Sequence, residues 1–590
     1  MHSTHTLKKL LTYALWALLD AFILASAITL VNAAKTGSVI FLIQSVPEIK
    51  MSLLLISMGI AALLFFGMFF FMDRVSRWIT PFCILFFSVA VSLAANYTRP
   101  YFSLVMCGVA IASVLTIKGI FPDVQVKQLS GKRLYILVAA LTVVMTAQVV
   151  FVCTARHWCY SSSTFDLGIF AQMYEYMAAD LTQNTTLERN VLLSHFEVHF
   201  SPVYYLLLPF YMIFRSVEFL LTAQAVVCFS GIIPLLLLCK RWKYSETVTL
   251  VISLTFLLFP AFSGGLFYDF HENAFLVPLL LWLLYFLEKN STVGIMVCAL
   301  LILCVKEDAG LYVVFVAMYA LLNKNINWFN SVMLLAIGAA GFIVVTSLVD
   351  SIGEGIKVSR YEIFLTSGQY SLTDVVVNVV KNPAFFFSKL LSEEKLLFLL
   401  QMLVPLMFLP LRTRRAADWM LVAPVVIVNL ATDYVYQADI HYQYVFGTGV
   451  LLVFLCAKNI RYCKEKTKTA AAAAVAGAII LTGSMNGKYN YIDAYWKNRT
   501  DIVETDQTLA MIPDDAVVFS TTYFTPHLYR CKEVYMYPFV YVADSSIVPD
   551  YVVLDNRLGL LAEYDELYVY WIEMGYEVVG TEGYATVFKR

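Results

Sequence analysis

The chain has 590 residues, of which 60% are hydrophobic and only 14% are charged, and its mean hydropathy is +0.73. These values exclude a water-soluble globular protein, because so few charged groups cannot cover the surface of a chain this long. The net charge is −1 and no basic stripe marks a soluble segment, so we expect no nucleic-acid partner.

Apolar stretches of about 17–25 residues, the length that crosses a bilayer as a helix, recur through the first 486 residues. They predict a polytopic α-helical membrane protein with about fifteen transmembrane helices embedded in the lipid bilayer. The first stretch follows Lys8 and Lys9 and lacks a small-residue cleavage site, so we expect a retained anchor. The segment 201–214 is also apolar, but a full crossing there would place the basic cluster at 240–243 outside. We therefore expect a shallow or re-entrant element.

Basic residues are concentrated in a few short loops, and this distribution predicts the orientation of the chain. The clusters lie at 8–9, 74–77, 118–133, 240–243, 412–415 and 458–468. Because basic loops favour the cytoplasm, we expect a cytoplasmic N-terminus and an outer C-terminus. Polar clusters then meet on the outer face, at 155–200, 267–273, 305–309, 350–395 and 432–443.

The last part of the chain has a different composition and predicts a small domain outside the membrane. Residues 501–590 contain 15 acidic and 5 basic residues, a net charge of −10 that leaves +9 for the rest. Segments with the pattern of strands lie at 516–520, 533–537, 551–555 and 576–580. Residues 563–575 have the pattern of an amphipathic helix, which predicts an α/β domain. No GxGxxG or P-loop pattern occurs in it, so no nucleotide site is predicted.

Asp166 stands in the motif TFDLGIFAQ, shortly after an apolar segment and without a neighbouring cation. Ionisable groups at membrane depth are costly and are therefore functional candidates. Two interpretations remain open at this point. Asp166 is either a solvated N-cap of the helix that begins at LGIFAQ, or a general base at the mouth of a cavity.

Two further motifs combine histidines with carboxylates. HFEVHFSP places His195 and His199 four residues apart, on one face if the segment is helical. That spacing suits a divalent metal ion and suits phosphate binding equally well. YDFHEN supplies Asp269, His271 and Glu272 between two apolar runs, and a capping role explains Asp269 alone.

Three more motifs supply charged groups to the same predicted face. In VKEDAG, Lys306 either pairs with a carboxylate such as Glu307 or reaches a lipid-linked phosphate. Arg360 lies in SRYE, and His441 follows Asp439 in DIHYQY. Six of the eight histidines fall on the predicted outer face, namely His157, His195, His199, His271, His441 and His527.

The motifs FDLGIFAQ, HFSPVYYLLLP, YDFHENA, VKEDAG and HYQY, followed by IPDDAVVFSTTYFTPHLYR and YVVLD, together resemble a bacterial membrane-protein family, domain of unknown function 2079. The resemblance covers residues 150–590, and that family looks like a remote relative of the GT-C glycosyltransferases. It implies a GT-C-like core in which an acidic residue of the first large outer loop faces a sugar linked to polyprenyl phosphate. Asp166 matches that position, and HFSP at 199–202 is similar to the motif that opens the next helix. The chain departs from the pattern by four earlier apolar segments (residues 10–117) and by one acid where many relatives have two.

The resemblance implies a multi-pass protein of the bacterial plasma membrane in three parts. Residues 1–133 supply additional membrane helices, and residues 134–486 form the catalytic core with outer loops 155–200 and 350–395. Residues 487–590 form the extracytoplasmic α/β domain.

We therefore expect a glycosyltransferase that moves a sugar from a polyprenyl-phosphate donor to a cell-envelope glycan, lipid or protein. Asp166 acts as general base. Lys306 and Arg360, helped by His199 or His271, stabilise the leaving phosphate. The other residues expected to contact substrate are His195, Asp269, Glu272, Glu307 and His441. The reaction requires no cofactor, although a divalent metal at His195 and His199 stays open. A transporter or flippase for a lipid-linked or anionic substrate is the alternative, and a non-catalytic scaffold or sensor is a third.

Overall fold

The computed structural model describes residues 2–34, 50–72, 79–94, 106–114, 131–353, 358–369, 371–413, 415–538, 543–558 and 562–590. Helices make up most of the described chain, and a five-stranded sheet lies near its C-terminus. The predicted architecture, a polytopic α-helical membrane protein with a small C-terminal α/β domain, is confirmed. The basic cluster predicted at 74–77, and most of the one at 118–133, lie outside the described residues.

Four helices form the N-terminal part of the described chain: α1 (His2–Ala34), α2 (Met51–Phe71), α3 (Ile79–Ala94) and α4 (106–114). Helix α1 packs against α2 and α3. Between α1 and α3, the Thr80 hydroxyl donates a hydrogen bond of 2.8 Å to the buried carboxylate of Asp20. Small side chains of α4, including Cys107 and Ala110, pack against alanines at 472 and 476 and so join this part to the core.

The core continues as a run of helices whose apolar side chains form one continuous cluster. The helices are α5 (Gly131–Trp158), α6 (Ile169–Asp180), α7 (Leu208–Phe214), α8 (Val217–Ser230), α9 (Ile232–Arg241), α10 (Glu246–Leu257), α11 (Pro260–Leu266), α12 (Leu276–Lys289), α13 (Thr292–Leu303), α14 (Ala309–Leu322), α15 (Trp328–Ile352), α16 (Leu372–Lys381), α17 (Pro383–Leu390), α18 (Glu393–Leu403), α19 (Ala416–Pro424), α20 (Phe446–Asn459) and α21 (Lys466–Ser484). In the outer loop after α6, β1 (Asn184–Thr185) pairs antiparallel with β2 (Leu193–Ser194).

Eight described helices are long and apolar enough to cross a bilayer, judged by length and composition. They run over Leu10–Ala33, Met51–Phe71, Gly131–Trp158, Val217–Arg241, Glu246–Leu266, Trp328–Ile352, Gln443–Tyr462 and Lys466–Ser484. Three shorter apolar helices cover Thr292–Leu303, Ala309–Leu322 and Ala416–Leu430. The total of about fifteen spans, which was inferred from apolar stretches, therefore stays a prediction.

The apolar segment 201–214 does not form a membrane-crossing helix. It divides into a 3-10 turn, Pro202–Leu206, and the seven-residue α7. Seven residues of α-helix span roughly 10 Å, far less than the ~30 Å of a hydrocarbon core, which agrees with the predicted shallow element. Its buried tyrosines Tyr204 and Tyr211 donate hydrogen bonds to Glu272 and Glu175.

The C-terminal domain is built on a mixed five-stranded sheet. Its elements are α22 (Asn486–Lys497), α23 (Arg499–Leu509), β3 (Val517–Ser520), β4 (Glu533–Met536), β5 (Tyr551–Asp555), α24 (Ala562–Glu573), β6 (Glu577–Gly580) and β7 (Ala585–Lys589). The order is β4-β3-β5-β7-β6, with β3 parallel to β4 and β5, and β7 antiparallel to β5 and β6. The four predicted strands and the helix are confirmed. Strand β7 was not predicted, because four of its five residues are buried and a strand buried on both faces shows no alternation.

This domain packs against the outer loop that follows α6. Strand β4 is an edge of the sheet, and two loop residues bind its exposed backbone. Thr186 exchanges hydrogen bonds with Val534, and Asn190 does so with Met536, at 2.8 Å from the Met536 amide. Leu187 lies in the same apolar cluster as the sheet. The loop therefore covers an edge that would otherwise be free to pair.

Candidate functional site

Loops at one end of the helix bundle bring most of the predicted site residues together. Helices α5 and α13 end at this face, and α6, α12 and α14 begin there. The loops 159–168, 267–275 and 304–308 are therefore neighbours, and the ion pairs described below join them. The arrangement follows from the sequence, because ionisable groups are excluded from apolar spans and collect at their ends.

Asp166 lies in a strained turn and not at a helix cap. The turn Thr164–Gly168 precedes α6, and Asp166 adopts φ 70° and ψ −74° in it. Such a conformation costs a non-glycine residue on the order of 1–3 kcal/mol and is typical of functional sites. The N-cap of α6 is Gly168, and no side chain caps this helix, so the capping interpretation of Asp166 is wrong. About a quarter of its side chain, 26%, is exposed.

Asp166 is the first member of a continuous series of paired charges, Asp166, His271, Glu272 and Lys306, which we call the charge chain. Its Oδ2 lies 3.2 Å from Nε2 of His271, and Nδ1 of His271 lies 3.6 Å from Oε2 of Glu272. Neither of these two contacts has the geometry of a hydrogen bond. Glu272 accepts hydrogen bonds of 2.8 Å from Nζ of Lys306 and of 2.6 Å from the hydroxyl of Tyr204. Lys306 is therefore paired with a distant glutamate and not with its sequence neighbours.

Burial and pairing fix the charge of each member of this chain at neutral pH. Burial alone would raise the pKa of Asp166 and lower that of His271. Their mutual attraction outweighs burial, so the pKa of Asp166 is lowered and the pKa of His271 is raised to about 9. Burial would also raise the pKa of Glu272, but Lys306 and His271 hold it well below its ordinary value. Burial would lower the pKa of Lys306, which Glu272 instead raises. The charges therefore alternate along the chain.

His195 and His199 lie beside this chain on one helical turn. The amide of His199 donates a hydrogen bond of 2.8 Å to the carbonyl of His195, and the two rings lie 5.8 Å apart. Each Nδ1 contacts a different carboxylate at 2.8 Å, Glu188 for His195 and Glu307 for His199. In the described part of the chain, no group of three or more His, Cys, Asp or Glu side chains is arranged to hold a metal ion. A metal bound by this pair stays a prediction.

Phe170, from the same motif as Asp166, packs between the histidine pair (His195 and His199) and the charge chain. Its ring centroid lies 5.3 Å from that of His195 and 5.3 Å from that of His271, in both cases edge to face.

Burial, and then the charge of Lys306, lower the pKa of His199, so its imidazole is neutral at pH 7. The site thus pairs a charged histidine at 271 with a neutral one at 199.

Asp269 belongs to a neighbouring group of charged residues with Arg156 and Lys488. Its Oδ1 lies 3.0 Å from Nη1 of Arg156, at the end of α5. Burial raises the pKa of Asp269 to about 6, although Arg156 opposes this. Burial and then Arg156 lower the pKa of Lys488 to about 8. The 3-10 turn after Asp269 has His271 as its N-cap and no side-chain cap, so Asp269 does not cap it. Its contact with Arg156 joins α5 to the loop that carries His271.

Arg360 lies on the other side of Lys306, between two aromatic rings. Its guanidinium carbon is 5.1 Å from the ring centroid of Tyr434 and 5.3 Å from that of Tyr444. Burial and Glu307 raise the pKa of Asp308 to about 6, while Lys306 and Arg360 lower it. Within the described residues Arg360 forms no ion pair, unlike Arg156, Arg215, Arg241 and Arg557, so its charge remains available to an anion.

His441 is fixed by two hydrogen-bond contacts. Its Nδ1 lies 2.6 Å from Oδ1 of Asp439, and its Nε2 lies 2.9 Å from the carbonyl oxygen of Ser484 at the end of α21. Both ring nitrogens are thus engaged. This pairing supports a role for His441 in placing the loop 432–443 against the membrane core.

A cavity of about 580 Å³ opens between α17, α18 and this loop. Tyr434, which also contacts Arg360, lines it together with Lys389, Lys395 and His441. A row of aromatic contacts connects it to the charge chain, because Tyr434, Tyr436, Tyr442, Tyr268 and His271 are successive neighbours with centroids 4.5–6.0 Å apart. The described lining of the cavity includes none of Asp166, His271, Glu272 and Lys306, so packed aromatic side chains are what connects it to them.

Sequence reasoning missed four residues of this region: Arg156, Glu188, Tyr204 and Lys488. Arg156 lies near the end of α5 and Lys488 near the start of α22, and charges beside apolar helices are common. Glu188 lies in TTLERNV, a polar stretch without periodicity. Only the contacts across the fold mark these residues, although the charge of Arg156 next to an apolar span was a usable signal.

Two comparisons found proteins that are similar to this chain. The family model described as "Predicted membrane protein (DUF2079)" matches residues 156–571. No curated protein matches the chain. A structural likeness covers 78% of this chain and 98% of ArnT from Cupriavidus metallidurans, solved bound to undecaprenyl phosphate, with a TM-score of 0.49 and 11% sequence identity.

Proposed function

The chain belongs to the family of predicted membrane proteins DUF2079, and on that premise we propose that it is a GT-C-like glycosyltransferase of the bacterial plasma membrane. It transfers a sugar from a polyprenyl-phosphate donor to a cell-envelope acceptor on the outer face. The observation that carries this proposal is the alternating charge chain from Asp166 to Lys306. One end of that chain is a strained, partly exposed carboxylate.

In the proposed reaction Asp166 is the general base. Its carboxylate removes the proton of an acceptor hydroxyl while that oxygen forms a bond to the anomeric carbon of the donor sugar. The bond between the anomeric carbon and the phosphate oxygen breaks on the opposite side, and polyprenyl phosphate leaves with the electron pair. The configuration is inverted. A lowered pKa keeps Asp166 ionised, and its exposed edge admits an acceptor.

The leaving phosphate needs a cation on the side opposite Asp166, which Arg360 supplies, while His271 orients the Asp166 carboxylate. His271 is protonated at neutral pH and lies beside Asp166. Arg360 keeps a rigid, fork-shaped set of donors that suits phosphate. The role proposed for Lys306 differs from the predicted one, stabilisation of the leaving phosphate, because Glu272 already neutralises its charge. Its proposed part is to hold Glu272, which in turn keeps His271 charged.

The donor lipid enters beside α16 and α17. These short helices expose apolar side chains, including Val376, Val380 and Phe387, and Lys389 of α17 lines the cavity described above. Apolar side chains next to lysines are typical of helices at the membrane surface. A polyprenyl tail lies along this face while its phosphate reaches Lys389 and Arg360.

A transporter needs charged groups along a path through the bilayer. In the described part of residues 131–486 the buried charges instead form two polar sets at opposite ends of α20, and Asp20 of α1 is a buried carboxylate outside both. One surrounds Asp166, and the other is the buried pair of Lys458 with Asp418. About 18 Å of helix separates the first residue of α20 from Lys458, and this stretch packs in the apolar core. This arrangement supports transfer at one face.

Mass spectrometry after deletion of the gene tests the proposed function. The deletion strain should accumulate one polyprenyl-linked sugar and lose one sugar from its envelope glycans, lipids or proteins. The wild-type gene should restore both. A strain with unchanged lipid-linked sugars and unchanged envelope components contradicts the proposal.

A further inference from the structure

A second cavity, of about 440 Å³, lies in the C-terminal domain. It is bounded by the end of α24, by β3 and by residues 537–538 and 543–549 between β4 and β5. Its size is that of a small-molecule site. None of the helices that can cross the membrane contributes to its lining, so a ligand reaches it from water.

Five of the fifteen described lining residues are aromatic, and the other four surround Trp571. The indole ring is 5.4 Å from Tyr537, 6.2 Å from Phe519, 5.2 Å from Tyr570 and 5.0 Å from Tyr576 between centroids, always at 70° or more. In an edge-to-face contact the edge of one ring covers the face of the other, so a ligand meets the rings at the rim. Tyr570 is 45% exposed at the rim. Flat apolar faces of this kind match the C–H faces of sugar rings.

Hydrogen-bonding groups surround these rings. Trp571 is 5% exposed, and its Nε1–H lacks a hydrogen-bond partner in the described part of the chain. A buried indole N–H normally has one. Asp544 and Ser545 lie at the rim. The cavity thus combines aromatic faces with donors and acceptors, as a hydroxyl-rich ligand requires.

The charges of the lining exclude the phosphate-linked sugar donor as the ligand of this cavity. The described residues that line the cavity include no Lys, Arg or His, and Asp544 would repel a phosphate. A phosphate needs several cationic or N–H partners, and the single indole N–H of Trp571 does not supply them, so a sugar phosphate or a lipid phosphate does not fit. A neutral saccharide does.

The cavity is connected to the proposed active site by one loop. Asn190 lines the cavity and binds the backbone of Met536 at the end of β4. Two residues earlier in the same loop, Glu188 contacts His195 beside the charge chain. A ligand in the cavity therefore rests on the loop that shapes the site around Asp166.

We propose that this cavity binds a neutral saccharide unit of the acceptor and so identifies the acceptor as a glycan. The inference rests on the proposed function and deepens it. Aromatic faces hold one sugar ring outside the membrane, while a hydroxyl further along the same glycan reaches Asp166.

Titration calorimetry on the full-length protein in detergent tests this. The probes are maltotriose, cellotriose and chitotriose. At least one should bind the wild type, and Tyr570→Ala should weaken that binding about tenfold, a common cost of truncating a contact aromatic. Trp571→Phe keeps the aromatic packing but removes the Nε1–H, and should weaken binding severalfold. Val569→Ala changes an exposed residue of the same helix outside the cavity and should bind like the wild type.

Binding that is absent in the wild type, or unchanged in both Tyr570→Ala and Trp571→Phe, overturns the inference. Asp166→Asn separates it from the proposed function, because this variant should bind the same probe as tightly as the wild type while losing transfer. If Asp166→Asn transfers normally but Tyr570→Ala loses the probe, the cavity stands and the proposed mechanism fails. If Asp166→Asn loses transfer and no probe binds, the mechanism stands and the cavity inference fails.

Discussion

The hydroxyl groups of Thr164 and Thr525 lie 2.9 Å apart and join the turn that carries Asp166 to the C-terminal domain. Thr522 reinforces this contact, because its hydroxyl accepts a hydrogen bond of 3.1 Å from the Thr164 amide. At the other end of the turn, a Cβ on Gly168 would lie 3.0 Å from the Thr525 hydroxyl oxygen. The C-terminal domain thus contacts both ends of the turn that carries Asp166.

The first prediction concerns Thr525. Thr525→Val keeps the shape of the side chain but removes its hydrogen bond to Thr164. The net free energy of that bond, about 1 kcal/mol, then no longer stabilises the conformation of the turn. We expect a severalfold fall in the rate of sugar transfer at saturating donor, with donor KM and thermal stability little changed. Thr500→Val, at an exposed threonine of α23, is the matched control. Equal rates for both variants would show that this contact does not position Asp166.

The second prediction concerns the pair of Lys306 with Glu272. Lys306→Met leaves a buried carboxylate without its cation and should destabilise the protein by about 3–5 kcal/mol, measured by thermal unfolding in detergent. Lys306→Met combined with Glu272→Gln should recover much of that loss, because the buried charge is then removed. Lys381→Met, at an exposed lysine, should have little effect. A double variant as unstable as the sum of its two single variants would show that the pair is not coupled.

The third prediction concerns pH. The pKa of His271 rises from an ordinary 6.5 to about 9 in the folded protein. Its contribution to stability is therefore complete below pH 6.5 and is lost as the pH rises to about 9. The melting temperature of the wild type should decline across this window, and that of His271→Gln should decline less. The pKa of Asp166 is lowered, so its contribution is lost only in acid, below pH 4. Parallel profiles for wild type and His271→Gln would contradict the charged state of His271.

Sequence patterns predicted those parts of the site that depend on where apolar spans end. His271, Glu272 and Lys306 meet because YDFHEN and VKEDAG precede α12 and α14, whose first residues lie at the same face. Hydropathy alone places such motifs together. The position of Asp166 was likewise visible, but its strained backbone was not, since the local sequence equally allows a capped helix.

Pairings across the fold were not predictable. Arg156 and Asp269 are 113 residues apart, and Thr164 and Thr525 are 361 residues apart. Neither pair has a periodic signal, because each depends on how loops and domains pack rather than on local propensity. The pairing of Lys306 shows the same limit: its neighbours Glu307 and Asp308 offered nearer carboxylates, yet the fold supplies Glu272.

The central claim is that Asp166 is the base of a sugar transfer, and one rate measures it most directly. Membrane vesicles from a deletion strain that expresses the wild type, Asp166→Asn or Asp180→Asn contain their own donor and acceptor. The release of free polyprenyl phosphate is followed by mass spectrometry and normalised to the amount of protein. A positioned base contributes about 10²–10⁴-fold, so Asp166→Asn should release it at least about 100-fold more slowly. Asp180→Asn, at the exposed end of α6, the helix that follows the Asp166 turn, should keep the wild-type rate. A wild-type rate in Asp166→Asn would contradict the account.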